Sequence, residues 1–471
     1  MPTFTSTIRC KKGATLGPVV PGSHEIELLT PSQSGSNAGT GTKLPSDRWL
    51  KRYHQVRNQT MDLVATLTPE DQMVQSMPDA SPAKWHLAHT TWFFETFVLA
   101  PHVTGYLPYD ERYGFLFNSY YKRLGPHPSR TTRGTFSRPT LDEVWSYRTH
   151  VDNIIRDLLD RGASPEVLRL LELGLNHEQQ HQELIITDIK HAFWVSPVRP
   201  SYQPTQSHTP ASVEPASAPP LAWFCFQGGP RYIGHDGSGF AFDNELPRHT
   251  VFIEPFCIAS RLATNQEYQA FIADGGYRRP ELWLSDGWDH VSRSGWTAPL
   301  YWEQTTDGWT QFTCRGTEPL RPAEPVCHVS FYEADAFARW AGKRLPTEFE
   351  WEIAASSLKN TGATGSNLLE AGTYHPRAAR QSTSRQTGLQ QVFGDAWEWT
   401  SSPYIAYPGY HPPTGAEGEY NGKFMCNQMV LRGGSCATPG SHIRNSYRNF
   451  FPPPARWQFS GIRLAHDGAV A

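Results

Sequence analysis

At 471 residues the chain is too long for one small module, and at roughly 100 to 200 residues per domain it divides into two or at most three. Lys+Arg 42 against Asp+Glu 45 leaves a formal charge of −3, so no global basic field draws it to nucleic acid or to an anionic membrane. No apolar run reaches the ~18 residues of a membrane helix, and 13% aromatic residues with 39 Pro and 38 Gly exclude both a disordered chain and a plain helical array.

Residues 1–44 are rich in Ser, Thr, Gly and Pro and lack a signal-peptide core, which predicts a flexible extension on a cytoplasmic protein. The cysteines Cys10, Cys225, Cys257, Cys314, Cys327, Cys426 and Cys436 form no CxxC pair and no regular spacing, so reduced thiols are expected. Between residues 45 and 197, the stretches 47–67, 82–99, 141–161 and 165–194 carry apolar residues at helical spacing, and a four-helix bundle is the economical reading. Residues 198–221 lose that periodicity in a Pro/Ser/Thr/Gln run, the mark of a linker. From 222 to 471, short aromatic and β-branched runs such as 250–258 alternate with Gly/Pro/Asp turns, and helices are expected only at 264–273 and 331–341. The fold class is therefore α+β, a bundle followed by a sheet-containing domain.

Asn176-His-Glu-Gln-Gln-His-Gln-Glu183 lies in the fourth helical stretch, where residues four apart share a face. His177 and His181 are thus spaced to grip one metal ion. Gln180 points toward the same region, whereas Glu183 is about 200° around from His181 and suits a supporting or structural role. Ser81-Pro-Ala-Lys-Trp-His-Leu-Ala-His89 opens the second stretch, and either His86 or His89 would complete three neutral imidazoles. Three protein ligands with open positions describe a catalytic metal, but imidazole suits Zn, Fe, Cu and Ni alike. Between these segments, Tyr120 and Tyr121 are phenols able to deliver a proton, and Arg130 and Arg133 are forks suited to a carboxylate.

Pro247-Arg-His-Thr-Val-Phe-Ile, Trp340-Ala-Gly-Lys-Arg-Leu-Pro-Thr-Glu-Phe-Glu-Trp-Glu352, Phe393-Gly-Asp-Ala-Trp-Glu-Trp-Thr400 and Leu431-Arg-Gly-Gly-Ser435 resemble the formylglycine-generating-enzyme (sulfatase-modifying factor) domain, a C-type-lectin-like fold, over residues 222–466. Formylglycine generators carry a copper-binding cysteine pair after Arg-Gly-Gly-Ser; here Cys436 stands alone, which argues against that chemistry. Joined to an upstream DinB-like bundle bearing Leu87-Ala-His89 and H-x-x-x-H, residues 45–466 resemble the EgtB family of ergothioneine sulfoxide synthases, the hercynine oxygenases.

That resemblance implies nonheme Fe(II) on His89, His177 and His181. It assigns hercynine to Gln180, Asn449 and Phe450, with Phe451 alongside, and the thiol donor's carboxylate to Arg130 and Arg133. Family members that use γ-glutamylcysteine place an acidic residue where this chain has Phe451, which makes L-cysteine the expected donor. Many relatives carry the proton-donating tyrosine on the loop after Trp-Glu-Trp-Thr, where Tyr404 and Tyr407 stand; Tyr120 and Tyr121 are the expected donors here. The implied partners are hercynine, L-cysteine and O2, with no nucleic acid and no membrane, and a homo-oligomer is compatible with the sequence. Alternatives are γ-glutamylcysteine as donor, an ovothiol-type 5-histidylcysteine sulfoxide synthase, a Zn-dependent DinB thiol transferase, and a binding module whose bundle is structural.

Overall fold

Thr140 and Ser164 start the two long helices of the first half. The Thr140 hydroxyl accepts the Glu143 N–H while the Glu143 carboxylate returns to Thr140, and Ser164 accepts the Val167 N–H ahead of Pro165, whose missing donor is harmless in a first turn. A computed structural model describes residues 44–203, 217–358, 365–380 and 388–468. Its bundle helices run Leu44–Val64, Ala83–Phe94, Leu141–Asp160 and Pro165–Val195, close to the predicted stretches. The second continues into a π-helical turn at Glu95–Leu99, where the Glu95 carboxylate accepts the Tyr106 and Tyr147 hydroxyls at 2.7 and 2.5 Å. The extension expected over residues 1–44, Leu44 apart, and most of the linker expected over 198–221 lie outside the described residues. No described helix is long and apolar enough to cross a membrane.

The bundle is locked from within by an ionic cluster. Glu178, fully buried, accepts from Arg57 at 2.9 Å, Arg148 at 2.5 Å and Thr60 at 2.7 Å, which fixes the rotation of the fourth helix about its own axis. Burial alone raises a carboxyl's pKa, yet Arg148 and Arg57 bring Glu178 down to about 2. A carboxylate depressed in the folded state stabilises the fold above its ordinary value, and that stability is lost as pH falls through the folded value. The metal-free protein is therefore expected to lose about 3 kcal/mol from this group between about pH 5 and pH 2 in denaturant titrations. Glu178→Gln should flatten that fall and lower stability at neutral pH by about 3 to 5 kcal/mol, since two buried guanidiniums lose their counter-charge. An unchanged acid slope in the variant would dismiss the account.

The second half holds small sheets rather than one large one. Strands Trp223–Phe226, Phe256–Ala259 and Ala465–Asp467 form one, with Phe256–Ala259 central. Asn449–Phe451, Met429–Arg432, Trp397–Pro403 and Ser460–Gly461 form another in that order, with Asn449 opposite Leu431 and Phe451 opposite Met429. The run expected at 250–258 breaks into His249–Ile253 and Phe256–Ala259, which join different sheets. Pro255, which has no N–H to give a ladder, sits at the break.

Two expectations are corrected. Helices also form at Ser285–Ser294 and Glu348–Ser356, the latter behind a Thr347–Glu350 capping box. Not all the thiols stay reduced: Cys225 and Cys257 face each other across paired antiparallel strands and form a disulfide, while Cys314, Cys327 and Cys436 are buried and free and Cys426 is exposed. A register-opposed pair 32 residues apart leaves no trace in spacing.

Both halves share one core, in which bundle residues such as Leu175, Ile186 and Phe193 pack with Leu262, Phe312, Ala396 and Phe459. The fourth helix makes the polar seam. Asn176 meets His442, Gln179 donates to Ser441 at 2.7 Å, and the buried Glu183 accepts from Trp397, Ser435 and Thr438 at 2.8, 2.5 and 2.8 Å. Glu183 thus takes the structural role expected of it.

Candidate metal centre and adjoining cavity

The turn of helix that builds the seam also presents His177 and His181 on its neighbouring face. Their Nε2 atoms stand 3.1 Å apart. His89 comes from the second helix; its Nδ1 meets the Phe117 carbonyl at 2.6 Å, which leaves Nε2 as the free ring nitrogen, buried and without a protein partner. One ligand atom from each of the three histidines lies within 4.8 Å of the others. Aromatic walls exclude water: Trp85 stacks on His89 at 4.5 Å and Phe93 lies 4.8 Å from His177. Burial, aided for His89 and His181 by the neighbouring imidazole of His177, holds both far below the ordinary histidine value, and burial brings His177 to about 3. All three are therefore neutral near pH 7, the form a metal binds. Two nitrogens facing each other beside a third, orphaned one make a donor set shaped for a single cation.

His86 is not part of that set. It sits behind His181, with Nδ1 2.7 Å from His181 Nδ1 and Nε2 3.1 Å from Asp188. Of the two histidines between which spacing leaves a choice, His89 is the one grouped with His177 and His181.

Beside the histidines lies a cavity of about 420 Å³ between the two halves. Arg130, Arg133, Gln180, Asn449, Phe450 and Phe451 all line it, as does Tyr120. Arg133 is buried, with its guanidinium 3.4 Å above the Trp85 ring, and burial lowers it to about 9; Arg130 is exposed and bonded to the Asp79 carbonyl. Phe450 stacks on Tyr404 at 4.0 Å, and Phe451 meets Trp457 edge-on. Tyr121 does not line the cavity: it is 1% exposed, tucked under Tyr120 and against Trp92 and Phe97. Tyr404 and Tyr407 are likewise buried, the first accepting from Asn244 and the second bonded to Glu348 and Arg432.

Tyr420 was not singled out by the sequence, although it belongs to the same loop between Trp397–Pro403 and Met429–Arg432. Its ring meets His177 edge-on at 5.7 Å and Tyr120 at 5.8 Å, and its hydroxyl donates to Gln180 Oε1. Gln180 is held at its other end by a 2.7 Å bond to Tyr447. Burial keeps Tyr420 and Tyr120 protonated far above neutrality, with the neighbouring tyrosines adding to it.

The DinB superfamily profile matches residues 52–185, and that of the sulfatase-modifying factor enzyme 1-like domain matches residues 211–468. A hercynine oxygenase of Mycolicibacterium thermoresistibile is 32% identical over 462 residues, covering 91% of this chain and 97% of that protein. Another, of Mycolicibacterium smegmatis, is 32% identical over 424 residues, 83% of this chain and 92% of its own length. A formylglycine-generating enzyme of Streptomyces coelicolor, 32% identical over 268 residues, covers 49% of this chain. A likeness that runs through the bundle and the second domain alike, at a site where three buried imidazoles meet one cavity, makes this chain an oxygenase of the hercynine oxygenase family.

Proposed function

We propose that the protein is a cytoplasmic sulfoxide synthase of ergothioneine biosynthesis, which joins the sulfur of L-cysteine to imidazole C2 of hercynine with Fe(II) and O2. The observation that carries this reading is the three-histidine set beside a cavity with two arginines on one wall and an Asn-Phe-Phe strand on another. Thiol, imidazole C–H and O2 become sulfoxide and water, one oxygen atom in each. Fe(II), held by His89, His177 and His181, would supply thiolate formation and the activation of O2.

The remaining work falls to this chain's side chains. Arg133, rigid on Trp85, and Arg130 hold the cysteine carboxylate. Asp79, half-exposed at the cavity rim and 4.0 Å from Arg130, offers an acceptor for the ammonium of a free amino acid. Phe450 and Phe451 give a trimethylammonium group aromatic surface, worth about 0.5 to 2 kcal/mol as it is desolvated. Gln180 keeps one amide hydrogen and one lone pair for hercynine beyond its bonds to Tyr447 and Tyr420. Tyr420, with Tyr120 against it, is the group placed to lend a proton during the reaction and to recover one from the thiol or the imidazole C–H, since the overall reaction consumes none.

The test is anaerobic loading with Fe(II), addition of hercynine with either cysteine or γ-glutamylcysteine, admission of O2, and mass spectrometry. Hercynylcysteine sulfoxide from cysteine is expected. Product from γ-glutamylcysteine alone overturns the donor assignment, and product from histidine alone overturns the hercynine assignment. Asp79→Asn should raise the KM for cysteine about tenfold, the effect of one charge-assisted contact, and leave that for hercynine in place; equal shifts in both would remove Asp79 from the donor site.

A further inference from the structure

His86 is 2% exposed, and its two ring nitrogens reach two different partners, His181 Nδ1 at 2.7 Å and Asp188 Oδ2 at 3.1 Å. Asp188 follows His181 by two turns of the same helix, on the same face but about 10 Å along the axis, beyond direct reach. His86, from the facing helix, fills that gap. Asp188 Oδ2 also accepts the Ser81 N–H at 2.7 Å. Arg133 donates to Ser81 Oγ at 2.9 Å and brings a positive charge to the same corner.

We propose that His86 and Asp188 are positioning residues that select the tautomer of His181, a reading that rests on His89, His177 and His181 sharing one metal ion. Two ring nitrogens 2.7 Å apart share one proton, so one ring donates to the other. When His181 donates from Nδ1, its Nε2 keeps the lone pair turned toward His177. His86 then accepts at Nδ1, carries its proton at Nε2 and donates it to Asp188. The reverse order protonates His181 Nε2, which removes a ligand, and sets the bare His86 Nε2 against a carboxylate oxygen. Asp188 therefore selects the ligand-competent arrangement through an intervening ring, and its charge raises the electron density that His181 offers the metal.

The test measures Fe(II) affinity by competition with a chromophoric chelator, and the visible bands of Co(II), on the full chain. His86→Gln preserves the polarity, since its carbonyl accepts from His181 and its amide donates to Asp188; metal affinity within about threefold of wild type is expected. His86→Phe keeps the ring but not the polarity, and Asp188→Asn keeps an acceptor oxygen but removes the negative charge that favours the proton on His86 Nε2. Both should weaken metal binding about 10- to 100-fold and shift the Co(II) bands. Nitrogen NMR of the wild-type protein, with Zn(II) or without metal, should report His181 protonated at Nδ1 and His86 at Nε2, whether or not the variants fold. The proposal is overturned by an Nε2–H tautomer at His181, by equal losses in the Gln and Phe variants, or by wild-type affinity and spectrum in both His86→Phe and Asp188→Asn. Because metal binding is read rather than sulfoxide formation, none of these outcomes depends on the thiol donor.

Discussion

His89→Ala is expected to leave the protein folded, to drop bound iron far below one equivalent, and to cut sulfoxide formation by at least about a thousandfold. The argument is geometric. His177 and His181 come from successive turns of one helix and face each other through Nε2, whereas His89 is the contribution of the second helix and its Nε2 has no protein partner. Without it the remaining pair leaves the cation on one wall, and substrates brought to a shared centre lose the proximity that accounts for a large part of such a rate. The variant also deletes a ring stacked between Trp85 and Trp92, so some stability will go with it. His54→Ala, on an exposed position of the first helix, is the control and should retain metal and turnover. A His89→Ala protein that still binds one equivalent and turns over would remove His89 from the ligand set.

The second large effect is expected from Tyr420→Phe. Loss of a positioned proton donor costs about 10² to 10⁴ in rate, and the thiol that is not coupled to hercynine remains open to oxidation by O2. Cysteine sulfinate should therefore rise as the sulfoxide falls, and the ratio of the two products is the quantity to measure. Tyr120→Phe should change that ratio less, because it is Tyr420 whose ring meets His177, with Tyr120 packed against Tyr420. If the product ratio moves in Tyr120→Phe and stays put in Tyr420→Phe, the proton comes from the bundle side instead, as the sequence alone suggests.

The difference between those two tyrosines marks how far the sequence is legible. Apolar spacing at 3.6 residues locates all four bundle helices, and a four-residue interval puts His177 beside His181 because helix geometry is local. The Thr347–Glu350 capping box was also there to be read, and the helix it starts follows from it. Tyr420 is another matter. It lies in an irregular loop, where no periodicity relates position in the chain to direction in space, and the packing of Phe242 and Tyr120 around it, with its bond to Gln180, turns the ring toward His177. The Cys225–Cys257 disulfide and the His86–Asp188 contact are hidden for the same reason, since each depends on which residues of separate elements come to face one another.

The long segment that carries Tyr420 is spliced between two neighbouring antiparallel strands, Trp397–Pro403 and Met429–Arg432, and those strands are anchored by Glu398 to Arg463 and by Arg432 to Glu348 and Glu352. Its ends are therefore fixed while its length is not, and lengthening a surface connection costs little, about 0.6 kcal/mol per doubling. The three-histidine set and Tyr420 are consequently borne by elements that can vary independently: the helices that hold the histidines can stay constant while this segment lengthens or shortens on either side of Tyr420. Under the assignment proposed above, an engineer seeking to change how protons reach the centre would diversify this insert, and one seeking a new sulfur donor would work on the loop that carries Arg130 and Arg133.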